Sequence, residues 1–245
     1  MIPAKKDPFF DSLLYLYLKR MLRKHFHAVK IHGLHHLQGL ERTRPTIAFA
    51  NHTNWWDGLV LFYLTRFQKG KDFYCMMEER QMRHYPFFSK MGAFSVDLDN
   101  SIRAAGTVRY ACELLNQNRT LIWIFPQGKM VSPYEPVEIR PGVDFLARKF
   151  PRAQMLPMGM AFDFDREQRP FAFAKFHPPY LAVDNSEERL QKELEHVSQS
   201  VQEDVRRRNF NKYETIMKPS FSINKRWEWV QRALSGTLGG FSRSN

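Results

Sequence analysis

The chain has 245 residues, 43% hydrophobic and 25% charged, enough for one large domain with an ordinary core. Its net charge of +12 sits at the ends: seven Lys/Arg against two acids in residues 1–30, nine against two in residues 206–245, and 21 against 21 between them. A neutral middle argues against a nucleic-acid enzyme, whose positive field surrounds its cleft, so no nucleic-acid partner is expected.

Basic ends in a chain with 21 Phe fit a protein docked on an anionic membrane surface. No apolar run approaches the roughly 20 residues of a membrane-spanning helix. Asp11 interrupts the first apolar stretch, and Lys19-Arg20 follows without a small-residue cleavage site, so a signal peptide is not expected either. Cys75 and Cys112 have no metal-binding spacing and read as reduced thiols. The expected location is the cytoplasmic face of a membrane, as a peripheral or monotopic protein.

In chain order, residues 8–27 read as a basic amphipathic helix. Phe9, Phe10, Leu13, Leu14, Tyr17, Leu18, Met21 and Leu22 recur at helical spacing, with Lys19, Arg20, Arg23 and Lys24 in the later half. Its two readings are an interfacial helix and a core-packing helix with solvated charges. Strands follow at 29–34, 46–50, 72–77, 92–96, 121–125, 155–162 and 171–176. Helices are expected from Gly58 to Phe67, from Glu79 to Met91 with a break at Pro86, from a Ser101 cap to about Asn116, from near Pro141 to Phe150, and from Ser186 to about Arg208. This alternation predicts an α/β fold: a mostly parallel or mixed central sheet flanked by helices, with an N-terminal amphipathic helix. The expected divisions are 1–28 for membrane contact, 29–210 for the α/β domain, and 211–245 for a basic aromatic end containing Trp227 and Trp229.

The first chemical signal is NHTNWWDG, residues 51–58, directly after the apolar run TIAFA. An imidazole paired with a carboxylate takes protons from hydroxyls. His52 and Asp57 are five apart, which on one continuous helix would point them about 140° away from each other. They meet only if His52 lies in the turn and Asp57 in or near the following helix. Asp57 would then fix the His52 tautomer and leave the other nitrogen free. No Ser or Cys stands beside them as a nucleophile, so direct attack by a substrate hydroxyl is favoured. A capping role near a strand end is the plainer alternative. Trp55 and Trp56 either line an apolar entrance or pack in the core.

The second signal is FPQGK, residues 125–129, where a buried strand runs into Pro-x-Gly beside the charge of Lys129. Such a turn holds an anion or a polarised carbonyl oxygen, or is simply a strand-to-loop turn. HGLHH, 32–36, lacks a second ligand group, so no metal is expected, and His35 and His36 read as surface loop residues.

Together these blocks resemble the glycerolipid acyltransferases, the group that includes bacterial lysophosphatidic acid acyltransferase. NHTNWWD fits their NHxxxxD signature. Gly92–Asp97, Phe125–Gly128, Arg140-Pro141-Gly142 with Leu146-Ala147, and Leu156-Pro157-Met158 follow in the family's order, over about residues 29–180. The resemblance implies transfer of a fatty acyl group from acyl-CoA or acyl-carrier protein, as co-substrate and with no other cofactor, to a lipid hydroxyl in phospholipid biosynthesis. A 1-acylglycerol-3-phosphate-like acceptor leads, with other lipid alcohols open. It makes His52 the general base and Asp57 its partner. Backbone groups near Gly128, or Lys129, would stabilise the oxyanion. Asn51, Trp55, Trp56, Phe125, Pro126 and Gln127 join the substrate-side candidates. Leu98 and Met130 stand where the family usually has the arginines that grip the acceptor phosphate; Lys129, Arg103 and Arg140 are the candidate replacements, although a Lys offers a point charge rather than a fork. A non-catalytic, membrane-surface lipid-binding protein derived from the family is the alternative.

Overall fold

The computed structural model describes residues 1–217 and positions 227, 231 and 232. Trp229 and most of the basic aromatic end expected there lie outside the described residues; Trp227 is exposed.

The elements run α1 (Pro8–His25), β1 (Val29–His32), α2 (Leu34–Gln38), β2 (Thr46–Ala50), α3 (Asp57–Leu64), β3 (Asp72–Glu78), α4 (Glu79–His84), β4 (Ala93–Val96), α5 (Ser101–Leu115), β5 (Thr120–Ile124), α6 (Gly142–Lys149), β6 (Gln154–Asp163), β7 (Phe171–Phe176), β8 (Tyr180–Leu181), α7 (Glu187–Arg206) and β9 (Glu214–Met217). The sheet order is β4-β3-β5-β2-β6-β7-β1-β9, with β8 on β6. From β4 to β6 every neighbour is parallel; β7 turns antiparallel to β6, and β9 antiparallel to β1. The chain is thus α/β with a mixed sheet, helices on both faces.

Both faces are covered because the central strands are apolar on both. In TIAFA, Ile47 and Phe49 join the core under α5, α6 and α7, while Ala48 and Ala50 join the core under α1 and α3. Alternate residues of a strand point to opposite faces, so a strand buried on both reads as an unbroken apolar run. Where α7 crosses β6, a Cβ on Gly159 would sit 2.5 Å from the Val197 carbonyl, so only glycine permits that approach.

Several sequence expectations shift. Asn100, not Ser101, caps α5: its side chain accepts from the Arg103 N–H at 3.0 Å. His35 and His36 lie in α2 rather than in a loop, after the αL turn at Gly33 (φ 74°) that ends β1. The helix from Gly58 stops at Leu64 and tightens into a 3-10 turn, and the Glu79–Met91 helix breaks at Tyr85 before Pro86. The β9 strand was not anticipated; four residues, ETIM, carry too short a pattern to separate from a loop.

The helix α1 packs on the core, as the second of its two readings expects. Asp7 caps it, Leu18 and Leu22 are fully buried, and Leu14 and Met21 pack beside them. A second apolar face remains open: Phe9, Leu13, Leu16 and Tyr17 are 58–81% exposed. Among the described residues, no helix is long and apolar enough to cross a membrane.

Candidate active site

His52 lies two residues beyond the end of β2, and Asp57 opens α3. The turn between them brings the two side chains together: His52 Nδ1 is 2.9 Å from Asp57 Oδ2. The same oxygen accepts from the Thr53 N–H at 2.7 Å and the Asn54 N–H at 2.8 Å. The carboxylate is fully buried while the imidazole side chain stays 22% exposed. Its place in the first turn of α3 also sets its negative charge at the positive end of that helix. The turn is self-bracing, since Asn54 Oδ1 accepts from the Trp56 N–H. With Nδ1 donating to Asp57, Nε2 is the lone-pair nitrogen.

Three further contacts fix the imidazole's height above the sheet. The His52 N–H donates to Gln127 Oε1 at 2.7 Å, and its carbonyl accepts from the Val131 N–H at 2.9 Å. The ring stacks on Phe125, centroids 4.3 Å apart. Asn51 is clamped to the Met160 backbone in both directions, at 2.9 and 2.7 Å, which ties the turn to β6. The 125–131 loop after β5 is therefore built around the histidine turn after β2.

That loop turns at Gly128, with φ 71°; a Cβ there would sit 2.6 Å from Arg140 Nε. The position needs glycine both for its backbone and for the arginine laid across it. The Gly128 N–H is spent on the Phe125 carbonyl at 3.0 Å. Of the oxyanion candidates, Lys129 remains the one presenting a charge to the cavity.

That cavity, about 660 Å³, opens beside His52, a size typical of small-molecule sites. One part of its wall is apolar and deep: Leu59, Phe62, Cys75 and Phe88 are buried members of the core under α1 and α3. Burial in this wall pushes the Cys75 thiol up to about 12, so it stays protonated. Ala104, Val108, Ile124 and Val143 continue the wall on the other side of the sheet. Trp55, Phe125, Pro126, Gly128, Lys129 and Arg140 line it as well. So do Leu98 and Met130, and Met130 is 51% exposed. Gly58 faces this space with nothing within 4 Å of where its Cβ would be.

Four sequence candidates stand outside the cavity wall. Trp56 packs edge-on against Phe26 and beside His25, joining α3 to α1. Asn51 and Gln127 are buried and hold backbone instead of facing the space. Arg103 is taken up by Glu79 and Asp97. Its sequence position, six residues past the second block, gave no hint that an acid of α4 and the acid just after β4 would claim it. The apolar wall was missed altogether, because Leu59, Phe62 and Phe88 look in sequence like any other core residues. Among the described residues no cluster of three or more potential metal ligands forms.

A family model described as "Acyltransferase" matches residues 28–161. The solved structure of the 1-acyl-sn-glycerophosphate (LPA) acyltransferase PlsC from Thermotoga maritima is similar, with a TM-score of 0.58 at 22% identity, over 79% of this chain and 78% of that one. At that identity the likeness is one of fold. No curated protein matches the chain.

Proposed function

The chain belongs to the acyltransferase family, and on that premise we propose that it moves a fatty acyl group from a thioester to a hydroxyl of a glycerolipid, with His52 as general base. The observation carrying this is the His52–Asp57 pair, 2.9 Å apart, at the mouth of a largely apolar cavity.

The Nε2 atom of His52 takes the proton from the acceptor hydroxyl as its oxygen attacks the thioester carbon. Asp57 holds the ring in the right tautomer and offsets the charge of the imidazolium that forms. Lys129 faces the negative oxygen of the tetrahedral intermediate. Collapse of that intermediate breaks the carbon–sulfur bond, and the thiolate leaves with the proton held on His52. No covalent enzyme intermediate is needed. The wall of Leu59, Phe62, Cys75 and Phe88 takes the acyl chain. Lys129 and Arg140, both in the cavity wall, are the cations that would neutralise an acceptor phosphate. The donor is acyl-CoA or acyl-carrier protein, and no further cofactor enters.

The enzyme works on the cytoplasmic surface of a membrane, as a peripheral protein. The open face of α1 supports this: Phe9, Leu13, Leu16 and Tyr17 are exposed, with exposed Arg20, Arg23 and Lys24 on the same helix. Trp55, half exposed, lies at the cavity and next to Trp56, which packs on the end of α1. A lipid entering beside Trp55 need not cross open water.

The test is mass spectrometry of the products after incubating the protein with acyl-CoA and a panel of lysophospholipids and lipid alcohols. The expected result is one or more acceptors gaining an acyl chain, with an equal release of thiol. Unchanged lipids with no thiol release, alongside vesicle binding, would instead mark a lipid-binding protein without catalysis.

A further inference from the structure

The parallel strands β2, β5 and β3 end at the same edge of the sheet, and the cavity lies over those ends. Neighbouring strands are about 4.8 Å apart. His52 follows β2; Lys129 and Arg140 belong to the segment after β5; Glu78 is the last residue of β3. The registers Phe49↔Ile124 and Cys75↔Trp123, carried on, bring Glu78 within one residue of the height of His52. The base, the two cations and the carboxylate thus follow one another across the strand ends. The cations stand roughly one strand spacing from His52 and Glu78 roughly two, about 10 Å.

Glu78 is half-buried and lines the cavity. The next residue, Glu79, is buried and holds Arg83 and Arg103. Among the described residues no cation comes within ion-pair distance of Glu78, not even Lys129 or Arg140 in the same wall. A half-buried carboxylate without a cation loses part of its hydration and gains nothing in return. A ligand carrying positive charge at that point would complete it.

We propose that Glu78 selects acceptors whose headgroup carries an ammonium beyond the phosphate: zwitterionic lysophospholipids of the lysophosphatidylethanolamine kind. This rests on the acyl transfer proposed above. The spacing of the charges matches the molecule. From the acylated oxygen to the phosphorus of such a lipid is about 5 Å extended, and to the ethanolamine nitrogen about 10 Å. With the hydroxyl at His52, the phosphate falls on Lys129 and Arg140 and the ammonium on Glu78. A phosphate monoester would leave Glu78 unmatched and bring its own extra negative charge towards it. Each charge of the zwitterion then meets its opposite, the phosphate two cations and the ammonium one carboxylate.

The experiment compares lysophosphatidylethanolamine with lysophosphatidylglycerol and lysophosphatidic acid of the same chain length, each with palmitoyl-CoA. Lysophosphatidylglycerol keeps the phosphodiester and a headgroup of similar length without the ammonium. The native protein should show a kcat/KM about tenfold higher for the ethanolamine lipid than for either of the others. In Glu78→Gln the ethanolamine-to-glycerol ratio should fall towards one, mainly through KM, while Glu78→Asp keeps part of the preference. A native protein that prefers lysophosphatidic acid or does not separate the two diesters, or a Glu78→Gln ratio that stays put, overturns the proposal and leaves acyl transfer standing. Transfer to none of the three, nor to any other lipid, overturns both.

Discussion

Two buried carboxylates, Asp57 and Glu79, show how the same chemical group serves two purposes in one molecule. Asp57 is fully buried and hydrogen-bonds the imidazole of His52, a residue that lines the cavity. Glu79 is almost as buried but gathers Arg83 and Arg103, and it accepts from Ser95 on β4. Arg103 in turn reaches Asp97 at 2.8 Å. One carboxylate holds a ring that lines the cavity. The other closes a network that pins α4 and α5 to the edge strand β4. Burial of a charge therefore does not by itself mark a site; the two carboxylates differ in whether the partner lines a cavity.

Asp57→Asn should break the comparison hardest. All three contacts share Oδ2, so the amide either keeps its oxygen there as a neutral acceptor that no longer offsets an imidazolium, or turns its NH2 against Nδ1 and the Thr53 and Asn54 N–H groups. Steady-state acyl transfer should fall by about 10³-fold or more at nearly unchanged melting temperature. Gln127→Ala removes the acceptor of the His52 N–H and should cost about tenfold in kcat, read in the same assay. Gly58→Leu sharpens the contrast from the cavity side. Nothing lies within 4 Å of the new side chain's root, and leucine favours a helix by up to about 0.7 kcal/mol over glycine. The longest acyl chain transferred should shorten while the melting temperature holds or rises, which donors of graded length would show.

Glu79→Gln should act in the opposite sense, on stability before chemistry. Arg83 and the Met1 ammonium, with Arg103 alongside, hold the Glu79 carboxyl down at about 2 against an ordinary 4.5. A depressed carboxyl stabilises the fold above its unfolded value, and that contribution is lost as pH falls from about 4.5 towards about 2. The native protein should thus lose melting temperature on acidification from about pH 6 to about pH 3, and Glu79→Gln should lose less over the same range. Thermal unfolding at a series of pH values measures both.

Much of this was legible in the sequence, for physical reasons. The strands buried on both faces announce themselves as unbroken apolar runs such as TIAFA and LIWIF. The five-residue spacing of His52 and Asp57 is uninformative on a helix but sensible across a strand-turn-helix junction, and the side chains meet there. The loop FPQGK was marked by its glycine, and Gly128 does adopt positive φ. Partner choice was not legible. Arg103 is, in sequence, a candidate replacement for the family's missing phosphate-gripping arginines, and only the fold brings Glu79 and Asp97 to it. Trp55 and Trp56 are adjacent in sequence yet divide, one to the cavity and one to the α1 interface. Glu78 carried no signal at all, since a strand's last residue gains meaning only from the strands beside it.

The most direct measurement is acyl transfer to a lysophospholipid by His52→Gln beside the native protein, with circular dichroism and melting curves on both. If the imidazole takes the acceptor's proton, product formation falls by about 10²–10⁴-fold while the fold and melting temperature are kept. A folded His52→Gln protein that forms product within about twofold of the native rate would contradict it.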